Sequence, residues 1–483
     1  MKKLFLYLPI LFILINCSNT SKKDKQLLEE RVFRLENGLQ PNVQIHKDSI
    51  QEIQNYNIED RMKELGVTGL SIAVINNGLI EWAKGYGIAD STENRKVTTE
   101  TMFQAGSISK PVAATKALQL YENGALDLDA NINDYLVNWK LPDNKFTTEE
   151  KVTTRRILDH SSGLTVWGFP GYERGKNIPT TAEILDGKGN TDSVRVYKKP
   201  GESWRYSGGG YTIMQQMISD IEQKQFSDIM QEDILNPLGM TKSTYENPLP
   251  EKYHNIAATG HYSDGSEVKG KWHVYPEMAA AGLWTTPSQL VMWAKEVMQV
   301  YQSQQDGLLK ANTINEMLTV STDSYGLGIV VEDHTFVHFG ADKGFRAQIV
   351  GWKNHPVAYV IMVNSDNSRT IFREVLLSIV QEYNLPGVSP RTRIIREQTV
   401  DKISKFQGTY NFGKYGDATL VINEDGNGLD FTGGPFGDRI IQLLPEEDNK
   451  FFNKQSGVYY TFRLEDGNIS GVRYSNAIGK KVK

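Results

Sequence analysis

The chain has 483 residues, 39% hydrophobic and 23% charged, which is enough for roughly two or three domains and a sizeable core of ordinary soluble type. A net charge of −5, with no long basic run beyond the N-terminal region, argues against a nucleic-acid partner. The single cysteine excludes a disulfide within the chain, so the fold rests on its core alone.

The first stretch, "MKKLFLYLPILFILINCSN", opens with Lys2 and Lys3 and continues with an apolar run from Leu4 to Ile15. That run is about twelve residues, short of the roughly twenty a spanning helix needs, and it fits the apolar region of a signal peptide. Leu14-Ile15-Asn16-Cys17 resembles a bacterial lipobox, although Asn16 is unusual before the cysteine. The resemblance implies cleavage before Cys17, lipidation on it, and an exported lipoprotein, outer-membrane or periplasm-facing, tethered to a membrane. An ordinary signal peptide with an incidental cysteine is the alternative. Residues 18–49, which begin "SNTSKKDKQ", read as a polar tether and N-terminal extension.

From Val67 the pattern becomes strand-like. "GLSIAVI" (69–75) and "LIEWAKGYGIA" (79–89) predict a hairpin turning at Asn77-Gly78. Helical spacing follows in "VAATKALQLYENG" (112–124), "YTIMQQMISDIEQ" (211–223) and "TPSQLVMWAKEVMQVYQ" (286–302), the last with Thr286 as cap and Pro287 in the first turn. Strands return as "YGLGIVVED" (325–333), "HTFVHFG" (334–340), "RAQIVGWKN" (346–354) and "VAYVIMVNS" (357–365), ahead of an amphipathic helix over 368–385. The expected fold class is α+β: an antiparallel sheet flanked by helices, interrupted by a helical insert, with its first and last strands adjacent. This unit spans 50–386. A Pro- and Gly-containing linker over 387–397 leads to short alternating strands in 398–483, a small all-β barrel or sandwich domain.

Four stretches carry candidate chemistry. "QAGSISKP" (104–111) places Ser107 and Lys110 three residues apart at a helix start. Roughly one or two Ser-x-x-Lys matches arise by chance in a chain this long, and serine is also a common helix cap. "RYSGGGY" (205–211) sets Tyr206 and Ser207 before three glycines; "FVHFGADKGFRA" (336–347) ends a strand on His338-Phe339-Gly340; and "LDHSSGL" (158–164) sits between helices.

In this order the stretches resemble the serine β-lactamase and penicillin-binding-protein superfamily, in the class C-like branch that also holds D-aminopeptidases, D,D-carboxypeptidases and esterases. Ser107-Ile108-Ser109-Lys110 matches Ser-x-x-Lys, Tyr206-Ser207-Gly208 falls where the branch has Tyr-x-Asn, and His338-Phe339-Gly340 where it has Lys-Thr-Gly or His-x-Gly. "LDHSSGL" and "AAGLWTTPSQL" (280–290) match two further blocks, and the likeness runs from about residue 50 to 385.

The chemistry suits these residue types. A serine hydroxyl needs a base in reach, and residues i and i+3 share a helix face. Lysine serves as base only with a lowered pKa. Tyr206 is the expected partner, a phenolate stabilised by Lys110 that takes the Ser107 proton and returns it to the leaving group. By the resemblance, the backbone N–H groups of Ser107 and Ala341 form the oxyanion hole, Gly340 admits the substrate against the strand edge, and Ser207 and Gly208 line the substrate site. Arg346 is a candidate for a substrate carboxylate, with a surface role as the alternative. His160 is expected to order its loop.

Two departures bear on substrate. Gly208 removes the asparagine side chain of Tyr-x-Asn, and His338 removes the permanent cation of Lys-Thr-Gly. The expected function is therefore an exported, tethered serine hydrolase that forms an acyl-Ser107 intermediate on an amide or ester, with a D-amino-acid peptide as a candidate substrate. An esterase or weak β-lactamase, and a slowly acylating penicillin- or peptide-binding protein, are the rival readings. The scattered histidines give no metal site and no phosphate loop is present, so the reading needs no metal and no cofactor.

Overall fold

In the computed structural model, which describes residues 22–47, 50–51, 55–437, 439–475 and 477–482, the two groups of strands combine into one antiparallel sheet of seven. The expected leader and Cys17 lie outside the described residues. The sheet order is Val330–Val331, Thr335–Asp342, Phe345–Trp352, Val357–Val363, Gly69–Asn76, Leu79–Asp90 and Arg95–Lys96. The early and late halves of the domain meet where Gly69–Asn76 pairs with Val357–Val363, in register from Val357↔Asn76 to Val363↔Leu70. Asn77 and Gly78 turn the first hairpin at φ 50° and 77°, the positive values that an Asn-Gly turn supplies at low cost.

Strand alternation divides the core between the two faces of this sheet. Ala73, Ile75, Ile349, Val360 and Met362 face the helix Pro287–Ser303 and the insert, while Leu70, Ile72, Val74, Tyr359 and Ile361 face the helix Arg369–Glu382. The segment 325–333, which its alternation predicts as a strand, joins the sheet at Val330–Val331, with partners Val337 and Phe336, while Tyr325 makes only isolated bridges to Thr322 and Val330. Gly328, at φ 93°, turns the chain just before, and a side chain there would meet the Ala114 methyl at 2.7 Å. The edge of the neighbouring strand from His338 to Asp342 therefore has no strand beside it among the described residues.

Two connecting segments are more ordered than their composition suggests. The expected tether is helical from Lys22 to Asn37, because Leu28, Val32 and Leu35 form a stripe against Ile379 and Val380, and Arg31 and Arg34 pair with Glu382. Within the expected linker, Arg391–Ile395 is a strand parallel to Val43–Lys47. Val43, Ile45 and Ile395 pack on Leu444, Phe452 and Tyr459, so the N-terminal extension and the linker together seat the C-terminal domain. That domain is a closed eight-stranded barrel, sealed by the pairs Tyr410↔Lys481 and Asn411↔Lys480. Its interior is filled by Tyr410, Phe431, Phe451, Tyr460 and Phe462.

Candidate active site

The site is built where the insert returns to the free edge of the sheet. Residues Gly106–Ile108 form a 3₁₀ turn that runs into the helix Ser109–Glu122. Pro111 falls in the first turn of that helix and Ser107 lies ahead of it, so the missing proline N–H breaks no interior helical bond. Two glycines let this turn lie directly on the strand Thr335–Asp342. A Cβ on Gly340 would stand 1.9 Å from the Ala105 carbonyl oxygen, and one on Gly106 would stand 2.4 Å from the Ala341 nitrogen. Gly106 also has φ 52°, a value that favours glycine. In the run 101–118, Ser107 is the one residue that is not buried.

Lys110 is buried beside it. Its Nζ donates to Ser107 Oγ at 3.0 Å and to the Ala280 carbonyl at 2.8 Å. Burial pulls its pKa down to about 7, with the Asp342 carboxylate opposing the shift. Asp342 is itself buried, accepts from the Gly106 N–H and is pushed well above the ordinary carboxylate range by desolvation. Glu277, fully buried with both oxygens unpaired, is raised to about 8 for the same reason. The Glu277 carboxyl therefore holds its proton near neutrality.

Tyr206 completes the group. Its hydroxyl is hydrogen-bonded to Ser107, and its ring centroid lies 4.8 Å from Lys110 Nζ. Burial pushes the phenol well above its ordinary pKa, with the Ser107 hydrogen bond opposing. The phenolate expected from the sequence is thus disfavoured: desolvation penalises an anion here more than the nearby lysine repays, so the neutral lysine is the better base.

Two buried histidines border the site. His338 Nδ1 sits 2.8 Å from the Phe339 carbonyl, which can only accept, so Nδ1 carries the proton and Nε2 is a bare, unpaired acceptor. Burial, helped by Lys110, lowers His338 to about 3, and the ring is neutral. His160, at φ 62°, accepts the Ser207 N–H through Nδ1 at 3.1 Å, and its carbonyl accepts the Arg205 N–H at 2.7 Å. Its ring packs 4.2 Å from that of Tyr206, so His160 grips the chain on both sides of the tyrosine.

The other expected site residues are placed differently. Ser207 caps the helix Gly208–Glu222: its Oγ accepts from the Gly210 N–H at 3.0 Å and donates to the Thr165 carbonyl at 2.9 Å. A buried hydroxyl with these partners is occupied by capping rather than by a ligand. Gly208 faces a loop, and a Cβ there would meet Phe169 Cε2 at 3.1 Å and the Trp167 oxygen at 3.2 Å. An asparagine fits there only if Phe169 and the loop give by a few tenths of an ångström. Arg346 is held through Nη1 by Asp366 at 2.8 Å and by the carbonyls of Asp342 and Phe345, which commits one arm of the guanidinium considered for a substrate carboxylate. Ala341 lies exposed on the free edge beside Gly106. Ala280 enters from the first position of the matched block 280–290, and Asp342 and Tyr325 enter with no expected role; Tyr325 packs 4.9 Å from His160 and 6.4 Å from His338.

A partly exposed serine bonded to a buried lysine and a tyrosine, beside a free strand edge, defines a serine hydrolase of the acyl-transfer type. The sequence profile of the Beta-lactamase family matches residues 55–380, and the chain belongs to that family. A penicillin-binding protein of Bacillus subtilis (strain 168) is 23% identical over 444 residues, covering 84% of this chain and 92% of its own. The octameric penicillin-binding protein homologue from Pyrococcus abyssi shares the fold, with TM-score 0.61 and 22% identity over 87% of this chain and 98% of its own. The D-amino acid amidase of Ochrobactrum anthropi SV3 is also similar, with TM-score 0.55 and 20% identity over 68% of this chain and 96% of its own.

Proposed function

We propose that the protein is an exported, membrane-tethered serine hydrolase that acylates Ser107 on an amide or ester, with D-amino-acid amides and peptides as the leading substrates. The observation that carries this reading is the buried Lys110, whose ammonium nitrogen meets Ser107 Oγ and one backbone carbonyl. Neutral Lys110 takes the Ser107 proton as Oγ forms a bond to the substrate carbonyl carbon. The Ser107 and Ala341 N–H groups stabilise the oxyanion, each donor contributing about 10²–10³ in rate. Collapse breaks the C–N or C–O bond, Tyr206 gives its proton to the leaving group, and Lys110 restores the proton to Tyr206. Water then attacks the acyl carbon and frees Ser107 by the same proton path.

The leader ahead of Cys17 supports export and tethering. The relatives named above support amide and penicillin-type chemistry in general. The neutral His338 and the absence of a side chain at the crowded position of Gly208 weigh against efficient turnover of β-lactams. The test is a comparison of D-alaninamide, D-alanyl dipeptides, simple esters and a chromogenic cephalosporin with the intact chain and Ser107→Ala. Amide or ester turnover that disappears in the variant is expected, with slow cephalosporin hydrolysis. Turnover retained in Ser107→Ala overturns the reading.

A further inference from the structure

The chain has eight tryptophans, and six of them are at most 8% exposed. The two exceptions, Trp167 at 67% and Trp204 at 37%, both lie at the candidate site. The Trp167 ring is 5.5 Å from that of Tyr206; the Trp204 ring is 5.7 Å from Tyr325 and 6.4 Å from His160. A large ring left in water is a loss unless something covers it, and two beside the Tyr206, Tyr325 and His160 rings form a binding surface.

Lys110 is turned to Ser107 and Ala280, and Arg346 Nη1 to Asp366 and two backbone carbonyls. Where a lysine would place a cation, His338 is buried and offers a bare lone pair. A carboxylate brought beside His338 would lose hydration and face that lone pair, whereas a neutral group escapes the cost.

We propose that the cleft selects an uncharged acyl donor bearing an aromatic or similarly large flat apolar group, held by Trp167 and Trp204, over one with a free carboxylate next to the scissile bond. The proposal rests on the acyl-Ser107 reading and specifies its substrate. Four achiral esters test it: the phenylacetyl and acetyl esters of glycolamide, and the same two of glycolate, each corrected for its rate with hydroxide. Phenylacetyl glycolamide is expected to exceed acetyl glycolamide in kcat/KM by about tenfold or more, the scale set by an apolar pocket. It is also expected to exceed phenylacetyl glycolate by a similar factor. Trp167→Ala and Trp204→Ala lower the phenylacetyl-to-acetyl ratio several-fold, and Trp167→Phe and Trp204→Phe largely keep it. Ratios near one, a preference for glycolate, or a ratio unmoved by the tryptophan changes overturns the proposal. If no ester is cleaved while a fluorophosphonate still labels Ser107, the substrate proposal falls and the hydrolase reading stands. If Ser107 is not labelled, both fall.

Discussion

His160 offers a sharp test of how the site is held. Replacing it with alanine removes the acceptor for the buried Ser207 N–H and the ring that packs on Tyr206. It also places alanine at φ 62°. The unpaired N–H costs about 1–3 kcal/mol, while the left-handed strain is already carried by the histidine and adds little. With the packing lost against Tyr206, Tyr211 and Tyr325, the total is about 2–4 kcal/mol. A tyrosine displaced by about 1 Å loses roughly 10²-fold in rate, so turnover of an amide, whose leaving group Tyr206 protonates, should slow by about that factor. His160→Asn, which tolerates a left-handed backbone and keeps a short acceptor, should recover part of both losses. Thermal melts and amide turnover, measured side by side, check this. A His160→Ala protein that melts lower but turns over the amide at the wild-type rate would refute the claim that His160 positions Tyr206.

Further outcomes follow from the same geometry. The kcat/KM of the free enzyme should fall about tenfold per pH unit below about pH 7, as Lys110 gains its proton, with no loss above until Tyr206 ionises beyond its ordinary range. His338 is neutral in the fold down to about pH 3, while in the unfolded chain it binds a proton below about 6.5. Stability is therefore lost as pH falls from about 6.5 to 3, by about 1.4 kcal/mol per unit, and denaturant melts of His338→Gln should show a correspondingly flatter slope. Gly340→Ala drives a methyl to 1.9 Å from a backbone oxygen, so it should cost about 1–3 kcal/mol and strongly reduce labelling, as melts and labelling rates will show. Gly208→Asn should lower the melting temperature without raising cephalosporin turnover, because the asparagine enters the space of Phe169 and Trp167.

Local chemistry explains what was legible in the chain. Asn77-Gly78 states its turn type outright, and Thr286-Pro287 states a helix start, which the Thr286 bond to the Gln289 N–H completes. Ser107 and Lys110 were readable because a fixed spacing on one turn carries their contact. Ser207 is a substrate-site candidate by its position in the family motif, yet its hydroxyl caps the helix that the glycines start. A Cβ on Gly209 would meet Val194 at 2.8 Å, so packing rather than turn geometry calls for glycine there. The N-terminal helix was hidden because its stripe of Leu28, Val32 and Leu35 is narrow and set among charges, and it gains its meaning only from the surface it covers. The protonation of Tyr206 depends on burial by residues distant in sequence, which no motif records.

The central claim is that Ser107, served by Lys110, is the nucleophile. Its most direct test is intact-protein mass spectrometry of the chain after exposure to a fluorophosphonate, with the modified peptide mapped. The account predicts one adduct, on Ser107 within residues 104–111, absent in Ser107→Ala and formed far more slowly in Lys110→Met. An adduct on another residue, no adduct at all, or equal labelling in Lys110→Met would contradict it.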